Sequence, residues 1–548
     1  MSPSCTTCGQ TFTFDEVDRA FYKQWDLLDP VDCPDCRRQR RLVFRNFFNL
    51  YHRTCDLTGK KIISMYDENV PFPVYEMHEW WGDKWDPLAY GKEANTHEPF
   101  FTQLQSLHAS APRMSIVNAQ CENSDYCTMS FGSRNCYLIF GNVKNEDCSY
   151  GHIVCQCKNC FDCLYCFRSE LLYECIDCVQ CYALTFSRDC DNCSSSSLLV
   201  HCTGCKNCFG CVGIHNKEYC LFNEQHTKED YEKKIHSLNL GDSRTIAAAK
   251  ARVAALTGKE IVKFYHGFNC ENVTGDYFYN CKNTVDGYDL KNCEDCRHCG
   301  TLEGHRDAHD CNFCMVPTEL SYNSLTSYGY NILCCQGCMS ESNNIAYCDN
   351  CFSCKDCFGC VGLKQHQYCI LNKQYTEQEY RDLRKKLVDH MRATGEWGQF
   401  FPISLSPFAY NETIAVPYFP LSKEEVLQRG WKWKDMDAKD QHYLGPKHDI
   451  PNDIREVSDA IISQILICES TGKPYKITPQ ELKFYRQVNV PIPKLCPDQR
   501  HKERMALRNP RHLWDRACAK CKNGIQTTYS PDRPETVYCE ECYLSTVY

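Results

Sequence analysis

The sequence predicts a mainly β, multidomain protein: a paired-cysteine module at each end, two tandem cysteine-ladder, β-solenoid-like repeats between them, and connecting helices. Three observations lead there. Of 548 residues, 46 are cysteine. The two ends share one cysteine pattern at a constant offset of 463. The middle carries another at an offset of 149, with cysteines spaced by multiples of three residues over long stretches. A chain of this length holds several domains, and 43% hydrophobic with 12% aromatic residues is the composition of a folded one.

Cysteine at this density is usual in short secreted disulfide scaffolds. The opening MSPSCTTCGQTFTFDE, however, lacks a basic stretch followed by an apolar run, so no signal peptide is visible. No window approaches the ~18 apolar residues of a transmembrane helix. The expectation is a soluble cytoplasmic protein with reduced or metal-bound thiols. The net charge of −9 argues against wholesale coating of nucleic acid and leaves room for local basic patches.

The end modules come first. Cys5, Gly9, Phe21-Tyr22, Cys33-Pro34-Asp35, Arg45-Asn46, Cys55 and Val74-Tyr75 recur 463 residues later, as Cys468, Gly472, Phe484-Tyr485, Cys496-Pro497-Asp498, Arg508-Asn509, Cys518 and Val537-Tyr538. Each module has places for two four-cysteine sites. The first is complete at the N-terminus (Cys5, Cys8, Cys33, Cys36) and the second at the C-terminus (Cys518, Cys521, Cys539, Cys542). Their counterparts are degenerate, with Cys55, Thr58, Glu76 and Glu79 at one end and Cys468, Thr471, Cys496 and Gln499 at the other. Two CxxC pairs separated in this way have zinc-ribbon spacing, and a closed tetrahedron of four thiolates is a structural site. About two structural zinc ions are expected.

The stretch CTTCGQTFTFDEVDRAFY…CPDCRRQRR resembles a probable zinc-ribbon family that pairs CxxCGxxFxF with CPxCR; Gly9, Phe12, Phe14 and Arg37 carry the likeness beside the four cysteines. With CDLTGKKIISMY, WWGDKWDP and SPFAYNET included, the whole chain resembles uncharacterised cysteine-rich zinc-ribbon proteins of small-genome bacteria. That resemblance implies an architecture and no activity. Arg37, Arg38, Arg40 and Arg41 follow the first site, with aromatics close behind, and are candidate contacts to RNA or the ribosome. The competing reading is a helix whose arginine stems cover apolar surface.

Between the ends, Cys121–Cys220 and Cys270–Cys369 each span 100 residues. Of 19 cysteines in the first copy, 18 share one register modulo three, Cys155 being the exception. The second copy holds its register from Cys281 to Cys338 apart from Cys334, then shifts by one and holds from Cys348 to Cys369. Strands repeat every two residues and helices every 3.6. Period three fits a solenoid of short coils, with polyproline-like packing as runner-up. Three chemistries compete for the ladders. Small apolar packing is one, disulfides another. The third is metal ligation, as zinc or iron–sulfur clusters, at Cys175-Cys178-Cys181, Cys205-Cys208-Cys211 and Cys354-Cys357-Cys360. No Cys-Pro follows these runs, which weakens the iron–sulfur version.

Thr227 with Asp230, and Thr376 with Glu379, read as capping boxes that open helices after each copy, and residues 243–258 read as an Ala-rich helix. The expected organisation is 1–80 end module, 81–118 connector, 119–225 first ladder repeat and 226–264 helical linker. It continues with 265–375 second ladder repeat, 376–465 helix and Pro/aromatic connector with a helix near 453–467, and 466–548 end module. His152, His201, His298 and His309 lie near cysteines without a catalytic signature, and no phosphate-loop, HExxH or GxSxG motif occurs. The leading expectation is a non-enzymatic zinc-binding scaffold or adaptor for a macromolecular partner. The contrasting one is a multi-site metal or electron carrier built on the ladders. The duplicated ends are expected to pack on each other.

Overall fold

The computed structural model describes residues 3–435 and 445–547. Two stretches, Asn118 to Gln225 and Gly267 to Gln374, wind into stacks of short parallel strands. In the first, Leu164 pairs with Ile176, and Ile176 with Arg188, so a coil is twelve residues. Every third residue has a left-handed backbone: Tyr150, Ile153, Gln156, Asn159, Asp162, Tyr165, Arg168 and Leu171 all have φ between 50° and 60°. Each coil therefore turns four corners. A left-handed L-residue costs roughly 1–2 kcal/mol, least for Asn and Asp. Hydrogen bonds between coils hold it there, such as Leu164 N–H to Cys175 O (2.9 Å) and Glu174 N–H to Phe161 O (3.1 Å). A polyproline helix has no such bonds, so the period of three belongs to a solenoid.

Within the stacks, every cysteine but Cys127, Cys155 and Cys334 sits directly after a left-handed corner. Cys175, Cys178, Cys181 and Leu184 are the four inward residues of one coil, all buried in a core made almost wholly of thiols. Columns run along the stack at twelve-residue steps, as in Cys166, Cys178, Cys190 and Cys202. Sides of three residues leave an interior for which a thiol is the right size. All 46 cysteines are free of disulfides.

The second stack has less regular coils. His305 pairs with Thr318 thirteen residues on and Glu319 with Tyr330 eleven on, which cancel; Gly329 with Ser342 and Met339 with Phe352, again thirteen apart, then displace the cysteine register by one after Cys338. Both stacks end alike. Asn223 accepts from Val212 N–H and donates to Val212 O, and Asn372 does the same with Val361, all at 2.8 Å. The amide stands in for the backbone of a missing next coil. This is the role of the Asn in YCLFNEQ and YCILNKQ: it closes an edge that would otherwise be open to pairing.

The end modules dock crosswise on the stacks. The helix Pro34–Leu42 sets Arg37 and Arg41 on Asp310 of the second stack (2.9 and 3.1 Å). The helix Pro497–Ala506 sets Arg500 and Arg504, 463 residues later, on Asp162 of the first. Phe21 stacks on His309 (3.6 Å) and Phe484 on Phe161 (4.1 Å). The strand Val74–Tyr75 then pairs with Arg113–Met114 ahead of the first stack, and Thr536–Tyr538 with Ile261–Lys263 ahead of the second. Each module thus bridges both stacks. The ends meet at Phe48 and His501 (4.7 Å), but their arginine clamps go to the solenoids rather than to each other.

The helices Lys228–Ser237, Ser243–Thr257 and Glu377–Thr394 lie where expected, and the full capping box forms at Thr376. The helix expected near 453–467 is instead two 3-10 turns, Ile454–Glu456 and Asp459–Ser463. The Asp453 carboxylate accepts Arg455 N–H (2.9 Å), a local turn that competes with helix, and its backbone bridges Asp242. Residues 395–435 pack on the N-terminal module, with Tyr66 on Phe408 and Ser406 Oγ donating to Val43 O (2.7 Å). Trp80, fully buried against Trp85 and Phe352, is core.

Two expectations follow. Cys178→Leu, which overfills a closed coil, is expected to cost about 1–3 kcal/mol, read as a lower unfolding midpoint, while Cys178→Ala keeps the coil. Burial pushes the Asp310 carboxyl up, but Arg37 and Arg41 outweigh it and hold it well below the ordinary carboxylate range. A depressed carboxylate contributes fully above its unfolded pKa and loses that contribution as pH falls through the folded one. Asp310→Asn is therefore expected to cost about 3–5 kcal/mol, equally at pH 6 and pH 8 in denaturant unfolding.

Candidate metal centres

Four knuckles of one shape organise the end modules. Gly9 N–H bonds Cys5 O, Gly59 bonds Cys55, Gly472 bonds Cys468 and Lys522 bonds Cys518, at 2.9–3.0 Å. The residue closing each turn is left-handed, with φ between 67° and 74°, which is why three of the four are glycine. The second pair of each complete site comes from a helix start. Cys33 caps Pro34–Leu42, accepting Cys36 N–H (3.5 Å), and Cys539 immediately precedes Glu540–Val547. The positive end of a helix favours thiolates there.

These elements bring the predicted ligands together. In both complete sets the four sulfurs lie within 4.8 Å of one another. Cys8 and Cys33 are 3.8 Å apart, and Cys521 and Cys539 3.7 Å. A zinc tetrahedron with bonds of about 2.3 Å separates its sulfurs by roughly 3.8 Å. The donor sets therefore fit zinc, each as a closed structural site. Contact with Cys36 pulls the Cys33 thiol down to about 5 against burial, and the same contact pushes Cys36 up. Burial pushes Cys518 up, but the N–H groups of Cys539, Cys521 and Lys520 bring it down to about 6.

Asp32, which sequence reasoning missed, ties the first site together. Its Oδ1 accepts Thr6 Oγ1 (2.7 Å), Thr7 N–H (3.2 Å) and the Cys5 thiol (3.6 Å), while Oδ2 takes Arg40. Its place directly before CPDC was the available signal. The degenerate sites keep the frame without the ligands. Cys55 Sγ accepts Glu76 N–H (3.2 Å), and Thr471 Oγ1 lies 3.8 Å from Cys496 Sγ.

The ladder thiols are not gathered into ligand sets. Cys175, Cys178 and Cys181 direct their sulfurs at the carbonyls of Tyr173, Ile176 and Val179 (3.2–3.5 Å). Cys205, Cys208 and Cys211 do the same with Thr203, Lys206 and Phe209, and Cys354, Cys357 and Cys360 with Phe352, Lys355 and Phe358. Each triplet occupies three sides of one coil, a row rather than a cage. Among the described residues, the only other set of ligand atoms within 4.8 Å is Asp189, His201 and His266.

The arginines proposed to touch nucleic acid face inward. Arg37, Arg38 and Arg41 are buried. Asp310 takes Arg37 and Arg41, Asp286 takes Arg38 (2.8 Å), and Asn312 and Asn323 also accept from Arg41 (2.9 and 2.8 Å). Arg40 pairs with Asp32 and donates to Gln399 (3.3 Å). The guanidinium heads themselves are buried, on Asp286 and Asp310, rather than standing in water above stems that cover apolar surface. Of the flagged histidines, His298 pairs with Asp286 (3.0 Å), His309 stacks on Phe21 and His152 packs against Phe47 and Phe48.

Residues 2–43 match the model of a family described as a probable treble clef domain. A treble clef joins a knuckle to a helix that supplies the second ligand pair, which is the arrangement of Cys5, Cys8, Cys33 and Cys36. The match covers this module only. No curated protein matches the chain. Among solved structures, a putative acetyltransferase from Desulfovibrio desulfuricans G20 aligns at 10% identity over 48% of this chain and 69% of its own, with a TM-score of 0.10, which carries no argument. Among the described residues no helix is long and apolar enough to cross a membrane.

Cobalt reconstitution reads the two sites separately. Cys8→Ser and Cys521→Ser are each expected to remove one of two tetrathiolate cobalt spectra and leave the other unchanged. Loss of both from one substitution would mean that the sites are coupled.

Proposed function

We propose that the protein is a non-enzymatic, zinc-held scaffold whose solenoids present their outer faces to a macromolecular partner. The observation that carries this reading is where the thiols go: into two closed tetrahedra and into the coil interiors. The outer corners carry regular polar rows instead. Asn269 donates to Asn280 and Asn280 to Asn292 (2.9 and 3.0 Å). Asn272 donates to Asn283 and Asn283 to Asp295 (3.2 and 3.0 Å). On the first stack, Asn123, Asn135 and Asp147 form the same row (3.1 and 3.0 Å). A rigid array that repeats once per coil suits an extended partner.

RNA or the ribosome as partner keeps only Arg40 of its four contacts, so a protein partner is the version put forward. The test is in-cell crosslinking of the full chain. One variant carries Asp at Asn280 and Asn283, another at Asn123 and Asn135. One of them is expected to lose a discrete crosslinked partner at least tenfold, with zinc content and unfolding midpoint unchanged. Equal crosslinking by wild type and both variants would overturn the outer-face reading. Tight RNA binding by wild type at physiological salt would restore the RNA version.

A further inference from the structure

We propose that Asp189, His201 and His266 form a third metal site, for a divalent first-row ion such as zinc, where the C-terminal module meets both solenoids. Asp189 and His201 occupy the same left-handed corner of successive coils, φ 53° and 51°. The Asp189 Oδ2 to His201 Nε2 distance is 3.3 Å. Two ligands on one tetrahedral ion, at bonds of about 2.0–2.1 Å, stand roughly 3.3–3.4 Å apart. His266 arrives from the segment between the strands Ile261–Lys263 and Gly267–Phe268, its ring 5.5 Å from that of His201.

The surroundings are built for ligation. A metal-bound imidazole usually gives its other nitrogen to a carboxylate, which fixes tautomer and orientation. Both histidines have one. His201 Nδ1 meets Glu260 Oε2 at 2.8 Å, and His266 Nδ1 meets both oxygens of Asp276 at 3.0 and 3.1 Å. The two Nε2 atoms face Asp189 and Tyr529 Oη, contacts that an ion would replace. Asp276 is itself held by Thr528 and by Asn509 (3.4 Å), and it accepts His266 N–H (2.6 Å). Tyr529 Oη, 3.1 Å from His266 Nε2, stands beside the remaining coordination position.

Glu260 reaches His201 because the next coil has glycine at this corner. A Cβ on Gly213 would come within 2.8 Å of Glu260 Oε1. Among the described residues, the ion pairs of Asp189 and Glu260 go to His201 alone. At the lead-in of the first solenoid, where the N-terminal module joins it, Arg113 supplies the cation, 2.8 Å from Asp349 of the second solenoid. A bound dication supplies it at this junction. The nitrogen–oxygen donor set separates the site from the two thiolate centres and selects a borderline ion such as zinc or iron(II) over copper(I). Its ligands come from two coils of the first solenoid and the lead-in of the second, so the ion would fasten the two solenoids together beneath the C-terminal module.

The experiment is cobalt(II) titration of the metal-stripped full-length protein under reducing conditions. Wild type is expected to bind one more equivalent than the double variant His201→Gln/His266→Gln. The extra equivalent has visible ligand-field absorption without thiolate-to-cobalt charge transfer. Glu260→Gln retains all three ligands and is expected to weaken that equivalent about 10–100-fold. Zinc and iron(II) competition identifies the preferred ion. Binding that is wholly thiolate-type in wild type, or the same number of equivalents in wild type and double variant, overturns the proposal. Should the double variant fail to fold, the wild-type spectrum and Glu260→Gln decide it.

Discussion

Everything in this molecule depends on a backbone that turns left-handed at every third residue. Four such corners close a coil of twelve residues, and the space inside is narrow. Thiols, hydroxyls and an occasional Leu fill it. Leu184 completes a coil with three cysteines, and Leu363 does the same beside Cys354, Cys357 and Cys360. The corners also set the surface chemistry. Asn and Asp tolerate the left-handed region best, so the residues that permit the turn become the polar rows outside. Interior and exterior have one cause.

The modules at the ends convert two such stacks into one body. A stack alone is a column in which each coil touches only its neighbours. The clamps at Asp310 and Asp162 fix each module to a chosen coil of the distant stack, while the strands at Val74–Tyr75 and Thr536–Tyr538 tie it to the lead-in of the nearer one. The zinc sites contribute by rigidity: Cys33 and Cys36 fix the first turn of the helix whose later turns carry Arg37 and Arg41. Metal and ion pair are one device, with the metal outside and the arginines buried.

Much of this was legible in the sequence. The period of three has only a few geometric sources, and the register shift after Cys338 is the trace that a coil of thirteen leaves there. The complete ligand sets at the ends stood out because whole sets had been kept or lost. Arg37 to Arg41 were misleading for a definite reason. A run of arginines looks the same whether it faces phosphate or buried aspartate, and the deciding partners Asp286 and Asp310 lie far along the chain. His201 stood out beside its cysteines, but its grouping with Asp189 and His266 was invisible for the same reason, since nothing in local spacing brings His266 from the linker onto a corner of the first stack. CxxCxxC runs invite a ligand reading, and only the direction of their sulfurs, toward carbonyls, shows a filled interior.

The coil also works as a ruler. Parallel strands stack about 4.8 Å apart, so inserting or deleting twelve residues lengthens or shortens a column by one such step without disturbing the coils on either side. Between Arg113–Met114 and Asp162, or between Ile261–Lys263 and Asp310, that step would carry the aspartate out of reach of its arginines. Beyond those aspartates the stacks stay tied: Arg508 holds Asp177 (2.7 Å) on the first, and Tyr22 meets Tyr322 (2.8 Å) and Trp80 meets Phe352 on the second. A whole coil added on either side of the clamps would shift every later contact by one step, so the two modules together fix the length of both columns.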